Sequence, residues 1–136
     1  MRILGIDPGS RCTGWGVVER APRAALAHVA HGTLRLAAGG ALSVRLAALH
    51  AALLLVIDEH KPELAVVETP FVAASPRAAL ILGHARGVAL AALGQKGVRV
   101  LEVSPAEVKV AVTGSGNADK AQVQAMVQRL LSLSRA

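Results

Sequence analysis

The stretch MRILGIDPGSRCTGWGVVER (residues 1–20) decides how the rest of the chain can fold. Residues 3–6 are almost entirely apolar, which is typical of a short strand that is buried on both faces. The strand pattern stops at Asp7, and residues 8–10 (Pro-Gly-Ser) have the residue types of a turn. Residues 12–19 then resume an extended pattern. The stretch therefore predicts a hairpin whose first strand carries a carboxylate at its C-terminal end.

Asp7 alone allows two interpretations, because Asp is common at the start of a turn and open α/β sheets also bind ligands at strand ends. A second short apolar run, residues 64–67, also ends on an acid, Glu68. Residues 42–57 between the two runs show helical spacing of apolar side chains, as in a crossover helix. A right-handed crossover favours a parallel, adjacent arrangement of the two strands. We therefore expect Asp7 and Glu68 side by side at one edge of a sheet, as a paired-carboxylate site.

The composition narrows the class of protein. The chain has 136 residues, 53% of them hydrophobic, which predicts one globular domain over residues 1–136. A formal net charge of +6 fits a polyanionic partner and fits simple solubility about equally well. The single cysteine, Cys12, excludes an internal disulfide and a CxxC metal site. Because no signal peptide is visible and no apolar run approaches the roughly 18 residues of a membrane span, we expect a cytoplasmic protein with no membrane partner.

The remaining segments alternate between strand and helix patterns. We expect a third strand over residues 28–36, interrupted at Gly32, which would complete an antiparallel meander. Ser75, Ser104 and Asp119 are expected to cap three helices, and a fifth strand precedes the second of them. This order predicts an α/β fold, a mixed five-stranded sheet with helices on both faces.

Four motifs resemble the RuvC family of Holliday-junction resolvases. They are GIDPGSRCTGWGVV (residues 5–18), VVETPF (66–71), SPRAALILGHARG (75–87) and SPAEVKVAVTGSGNADKAQVQAMVQRLL (104–131). They span nearly the whole chain in the family's order, and the last is long and distinctive. The resemblance implies the ribonuclease H-like fold.

The resemblance also implies an activity. Family members are Mg²⁺-dependent endonucleases that resolve four-way DNA junctions in recombination and repair, with two metal ions per active site and Mn²⁺ as a substitute. Asp7 matches the first catalytic, metal-binding acid and Glu68 the second. The family acts as a homodimer, through the helix that here carries Gly83 and Gly87, together with a junction-binding and branch-migration complex.

Other positions match the family with less specific roles. Phe71 resembles an aromatic side chain that wedges against bases at the junction, although core packing is the ordinary role of a Phe. Lys109 and Lys120 match lysines near the scissile phosphate, where positive charge stabilises developing negative charge; otherwise they are surface lysines. Arg77 and Arg86 are candidate phosphate contacts.

The chain departs from the family pattern in one respect. In the family a further helix, with a DAADA-like motif, follows the segment that ends here at Leu131 and supplies the remaining metal ligands. We expect the 136-residue chain to lack this helix and therefore to be weakly active or inactive. One alternative is an impaired paralogue, or a fragment, that binds branched DNA without cutting it. Another is an actin-like ATPase, but that fold needs two such lobes.

Overall fold

The computed structural model describes residues 1–23, 25–36, 38–69 and 75–131. The elements in these residues are β1 (Arg2–Asp7), β2 (Cys12–Glu19), β3 (Ala27–Arg35), α1 (Leu42–His60), β4 (Leu64–Glu68), α2 (Pro76–Gln95), β5 (Arg99–Val103), α3 (Pro105–Thr113) and α4 (Lys120–Leu131). One five-stranded sheet has the order β3-β2-β1-β4-β5. The pairs β1–β2 and β2–β3 are antiparallel, whereas β4 runs parallel to β1 and β5 runs parallel to β4. The predicted mixed sheet is confirmed.

One face of the sheet is covered by α1 and α2, and the core lies between these layers. The strands contribute alternating side chains to it, since successive residues of a strand point to opposite faces. The helix α1 adds leucine, valine and isoleucine, and α2 adds mostly alanine, which allows the helices to approach closely. The buried core residues are Leu4, Ile6, Val17, Leu49, Leu53, Val56, Ile57, Ala65, Val67, Ala85, Ala89, Ala92 and Leu93.

Within the described part of the chain, α2 is the one helix long and apolar enough to cross a membrane by length and composition. Its buried side includes Ala85 and Ala89 and packs in the protein core. Only 22% of this stretch is buried inside the protein.

Two glycines, Gly9 in the turn after β1 and Gly32 in β3, lie where a side chain would collide with a neighbouring group. A side chain at Gly9 would collide with the carbonyl oxygen of Cys12, because the turn after β1 folds back tightly on itself. The predicted interruption of the third strand at Gly32 is wrong, since β3 runs through this residue. A Cβ at Gly32 would lie 2.9 Å from the Trp15 indole, so the glycine makes room for that ring. The irregularity in the β2–β3 pairing lies instead between Val17 and Val18.

The helix caps predicted from the sequence are confirmed. The Ser75 hydroxyl accepts a hydrogen bond from the backbone of α2 at 3.1 Å. Ser104 forms a reciprocal capping box with Glu107 at the start of α3, with both bonds at 3.1 Å. Asp119 and Gln122 exchange side chain–backbone bonds of 2.8 Å at the start of α4. These bonds satisfy N–H groups that the first helical turn leaves without partners.

The second face of the sheet is largely open. None of the strand residues on this face is fully buried in the described structure. Helices α3 and α4 reach it only from the β5 side, where Val108 and Val127 line a cavity of about 500 Å³ together with the strands. The expectation of helices on both faces is therefore met, with partial cover on the second face. The open part of this face is the surface on which the carboxylates lie.

Candidate active site at the ends of strands β1 and β4

The parallel pairing of β1 with β4 brings Asp7 and Glu68 together. In the register of these strands Ile6 lies opposite Val67, so the next residue of each strand is an acid at the same edge of the sheet. Both acids line the cavity on the open face. The backbone N–H of Thr69 donates to the Val103 carbonyl at 2.7 Å, which fixes the chain just after Glu68. The juxtaposition predicted from the sequence is confirmed.

The surroundings of Glu68 make it a weak acid. Partial burial, the negative charge of Asp7 and a hydrogen bond with the Asp7 carboxyl group raise the pKa of Glu68 from 4.5 to about 7, while the Lys109 ammonium acts in the opposite direction. The pair therefore retains a proton at pH values where an ordinary glutamate is fully ionised. A cation between the two groups would replace that proton, since it compensates the same repulsion.

The chemistry of these two residues fits a hard divalent cation. Mg²⁺ binds oxygen ligands and commonly uses one or two carboxylates, with water and phosphate at its other positions. Asp7 is exposed and Glu68 partly buried, so both can be reached from the open face. Within the described ranges no group of three or more His, Cys, Asp or Glu residues could hold a metal. The described residues thus offer two ligands.

The other predicted site residues differ in whether the structure shows an interaction with the carboxylate pair. The positive charge of Lys109, on α3, acts on Glu68 and lowers the pKa of that carboxyl group. Lys120 is the exposed first residue of α4 and Arg77 is exposed in the first turn of α2, and neither has a described interaction with the carboxylates. Phe71 falls in residues 70–74, outside the described structure. The roles of these four residues stay predictions.

Arg86 forms an ion pair within the protein. Its guanidinium forms an ion pair with Glu102 of β5 and is mostly covered by the protein, with 25% of the side chain exposed. The pair joins α2 to the far strand of the sheet. The role of Arg86 as a phosphate contact stays a prediction, and the ion pair with the half-exposed Glu102 is its described interaction.

Sequence reasoning missed the floor of the site, which consists of glycines. Gly5 lies opposite Gly16, and Asp7 lies opposite Gly14, so three glycines adjoin the carboxylate on the same face. The signal was available in the spacing, because Gly14 and Gly16 are two residues apart in a strand and must share a face. Without the pairing register, the sequence did not indicate which face that was.

Both the sequence and the fold are similar to those of one family of proteins. The family model for the crossover junction endodeoxyribonuclease RuvC matches residues 3–136. RuvC of Hyphomonas neptunium is 49% identical over 131 residues, covering 96% of this chain and 78% of that protein. RuvC of Alkalilimnicola ehrlichii is 51% identical over 135 residues, covering 97% and 79%.

A solved structure of Thermus thermophilus RuvC, in complex with a Holliday junction substrate, superposes with a TM-score of 0.92 at 32% identity. The match covers 100% of this chain and 82% of that chain. It confirms the ribonuclease H-like fold that the sequence motifs implied. The chain belongs to the RuvC family of crossover junction endodeoxyribonucleases.

Proposed function

We propose that this protein is a structure-selective endonuclease that resolves Holliday junctions by metal-dependent phosphodiester hydrolysis, in DNA recombination and repair. The observation that carries the proposal is the pair of coupled carboxylates, Asp7 and Glu68, at the ends of two adjacent parallel strands. Family membership supports it, since the similar proteins are named crossover junction endodeoxyribonucleases. We take residues 1–136 as one nuclease domain that works in the cytoplasm.

The metal we propose is Mg²⁺, with Mn²⁺ as a substitute, held by Asp7 and Glu68. When bound, such ions activate a water nucleophile and stabilise the leaving oxygen of an in-line displacement. Asp7 and Glu68 hold the cations at the strand ends, and their fixed register sets the distance between the two ligand groups. The positive charge of Lys109 beside Glu68 is placed to stabilise negative charge that develops on a phosphate there. The family resemblance implies further acidic ligands, and within the described residues no group of three or more His, Cys, Asp or Glu residues supplies them.

The partners we propose are four-way junction DNA, a second copy of this chain and a branch-migration complex. Helix α2 supports the homodimer, because Leu80 is 64% exposed and Gly83 and Gly87 lie on the exposed side of the helix with open space beyond them. Glycines on an outer helix face permit close approach of another helix. Gly87→Glu should convert a dimer to a monomer in light-scattering measurements, whereas Ala106→Glu on α3 should leave the dimer intact. A monomer in the unaltered protein would contradict the proposed dimer.

The function is tested with a synthetic four-way junction. The unaltered chain should bind the junction in preference to linear duplex and should show at most weak cutting in Mg²⁺ or Mn²⁺, because the described residues offer only two metal ligands. Asp7→Asn and Glu68→Gln should abolish cutting and retain binding, because they remove metal ligands and leave the fold in place. Cutting that is as strong in these two variants as in the unaltered chain would contradict the proposed active site, and failure of the unaltered chain to bind the junction would contradict the proposed substrate.

A further inference from the structure

The open face of the sheet extends from the carboxylate pair toward the edge strand β3. In the sheet register, Asp7 lies opposite Gly14 and Gly14 lies opposite Thr33. In the next rung Gly16 lies between Gly5 and His31. Residues paired across a sheet point to the same face. The carboxylates, the glycines and the side chains of β3 therefore share one surface.

At three positions of this surface, Gly5, Gly14 and Gly16, the β-sheet exposes its backbone because no side chain covers it. A Cβ built at Gly14 meets nothing within 4 Å, and one at Gly5 meets only the Gly16 carbonyl oxygen at 3.9 Å. A Cβ at Gly16 meets only the Cβ of His31, also at 3.9 Å. None of the three has a positive φ. Neither packing nor backbone conformation thus requires glycine here, although glycine weakens a strand interior by about 0.5–1 kcal/mol relative to alanine. Glycine in a strand commonly marks a place where a ligand or another backbone approaches closely.

The far side of this surface carries a free positive charge. Arg35 lies opposite Cys12, two residues beyond Thr33 on β3, so it points to the same face. Both Arg35 and Thr33 are exposed. Within the described residues the Arg35 guanidinium has no hydrogen-bond or ion-pair partner. Because neighbouring strands are about 4.8 Å apart, β3 lies roughly 10 Å from β1. This separation is comparable to one or two nucleotides along a DNA strand.

We propose that Gly5, Gly14 and Gly16 form the floor of a groove that binds the sugar-phosphate backbone of the cleaved DNA strand, and that Arg35 contacts a phosphate next to the scissile one. The inference rests on the proposed nuclease function and adds a binding residue to it. Because the three glycines have no side chains, the DNA strand can lie directly on the β-sheet, within reach of Asp7. A guanidinium can hold a phosphate with two parallel hydrogen bonds, which fixes the register of the strand.

The first test compares Arg35→Gln with Arg20→Gln, which makes the same charge change at an exposed arginine at the opposite end of β2. Junction binding is measured by fluorescence anisotropy, without divalent cations, at several salt concentrations. One lost phosphate contact should weaken binding about five- to tenfold at 0.1 M salt and reduce the slope of log K against log salt by about 0.9. Arg20→Gln should bind as the unaltered protein does. Equal affinity and equal slope for both variants would overturn the role of Arg35.

The second test places a side chain in the proposed groove. Gly16→Val adds a side chain one rung away from the carboxylates, where only the Cβ of His31 is near. The variant should unfold at the same temperature or higher, since valine favours strands, yet bind the junction at least tenfold more weakly. Unchanged binding by a folded Gly16→Val protein would overturn the groove and leave the proposed function standing. Absence of junction binding by the unaltered protein would overturn both.

Discussion

Glu68→Gln should stabilise the metal-free protein at alkaline pH and leave its stability unchanged at acid pH. The reason is the pKa of Glu68, which rises from 4.5 to about 7 when folding buries it and brings it against Asp7. A group whose pKa is raised by folding stabilises the folded state below its unfolded pKa, and that contribution is lost as pH rises through the folded value. The unaltered protein should therefore lose stability between pH 4.5 and about 8, whereas glutamine has no proton to lose.

The size of the effect follows from the same shift. Each pKa unit corresponds to about 1.4 kcal/mol, but Glu68 is only partly buried and solvent screens its repulsion from Asp7. We therefore expect the difference in unfolding free energy between Glu68→Gln and the unaltered protein to grow by about 1–2 kcal/mol from pH 4.5 to pH 8. In a chain of this length that is a difference of roughly 3–8 °C in Tm.

The assay is urea unfolding followed by circular dichroism, at four pH values between 4.5 and 8, in EDTA. Contributions that are common to both proteins cancel in the difference. Glu63→Gln, at the exposed opposite end of β4, controls for the change in net charge. Addition of Mg²⁺ at pH 8 should stabilise the unaltered protein and have little effect on Glu68→Gln, because the cation relieves the repulsion only where both carboxylates are present. A difference that stays constant across this pH range would refute the coupling of Asp7 and Glu68.

Three other substitutions test the turn, a cap and the charge beside the site. Ser104→Ala should lower the unfolding free energy by about 1 kcal/mol in urea titrations, because it removes the hydroxyl that caps α3. Gly9→Ala should cost about 1–3 kcal/mol in the same measurement, since the added methyl group collides with the Cys12 carbonyl. Lys109→Gln should raise the pKa of Glu68 further, because the ammonium group now lowers it, and carbon-detected NMR titration of the carboxyl group would show the change. A pKa of Glu68 that stays the same in Lys109→Gln would place the lysine away from the site.

The parts of the fold that depend on local pattern were predictable from the sequence. Apolar runs ending at Asp7 and Glu68, with a helical segment between them, favour a parallel pair, because parallel strands are usually joined through a helical crossover. The caps Ser75 and Ser104 were also readable, since each Ser-Pro step has a helical pattern after it. These features depend on residues close in sequence, and the structure contains each of them at the predicted residues.

The features that were missed depend on neighbours distant in sequence. Gly32 looked like a break in a strand, but its reason is the Trp15 ring on the next strand. Arg86 was a candidate phosphate contact, and its ion pair with Glu102 of β5 was not predicted from the sequence. The shared face of the glycines and Arg35 required the register of three strands, including an irregularity at one position of β2. Contacts between residues this far apart in sequence cannot be predicted from composition and spacing.

The core explains how the protein can fold with two like charges in contact. The residues that immediately precede the acids, Ile6 and Val67, are 3% and 0% exposed and lie opposite each other in the register. Burial of the two side chains together contributes about 3–6 kcal/mol, which exceeds the 1–2 kcal/mol or so by which ionised Asp7 and Glu68 oppose folding. The apolar pair therefore fixes the position of the carboxyl pair. Because the strands cannot move apart without exposing that core, the repulsion is relieved by a proton or a divalent cation. The same packing that stabilises the fold thus creates the affinity for metal.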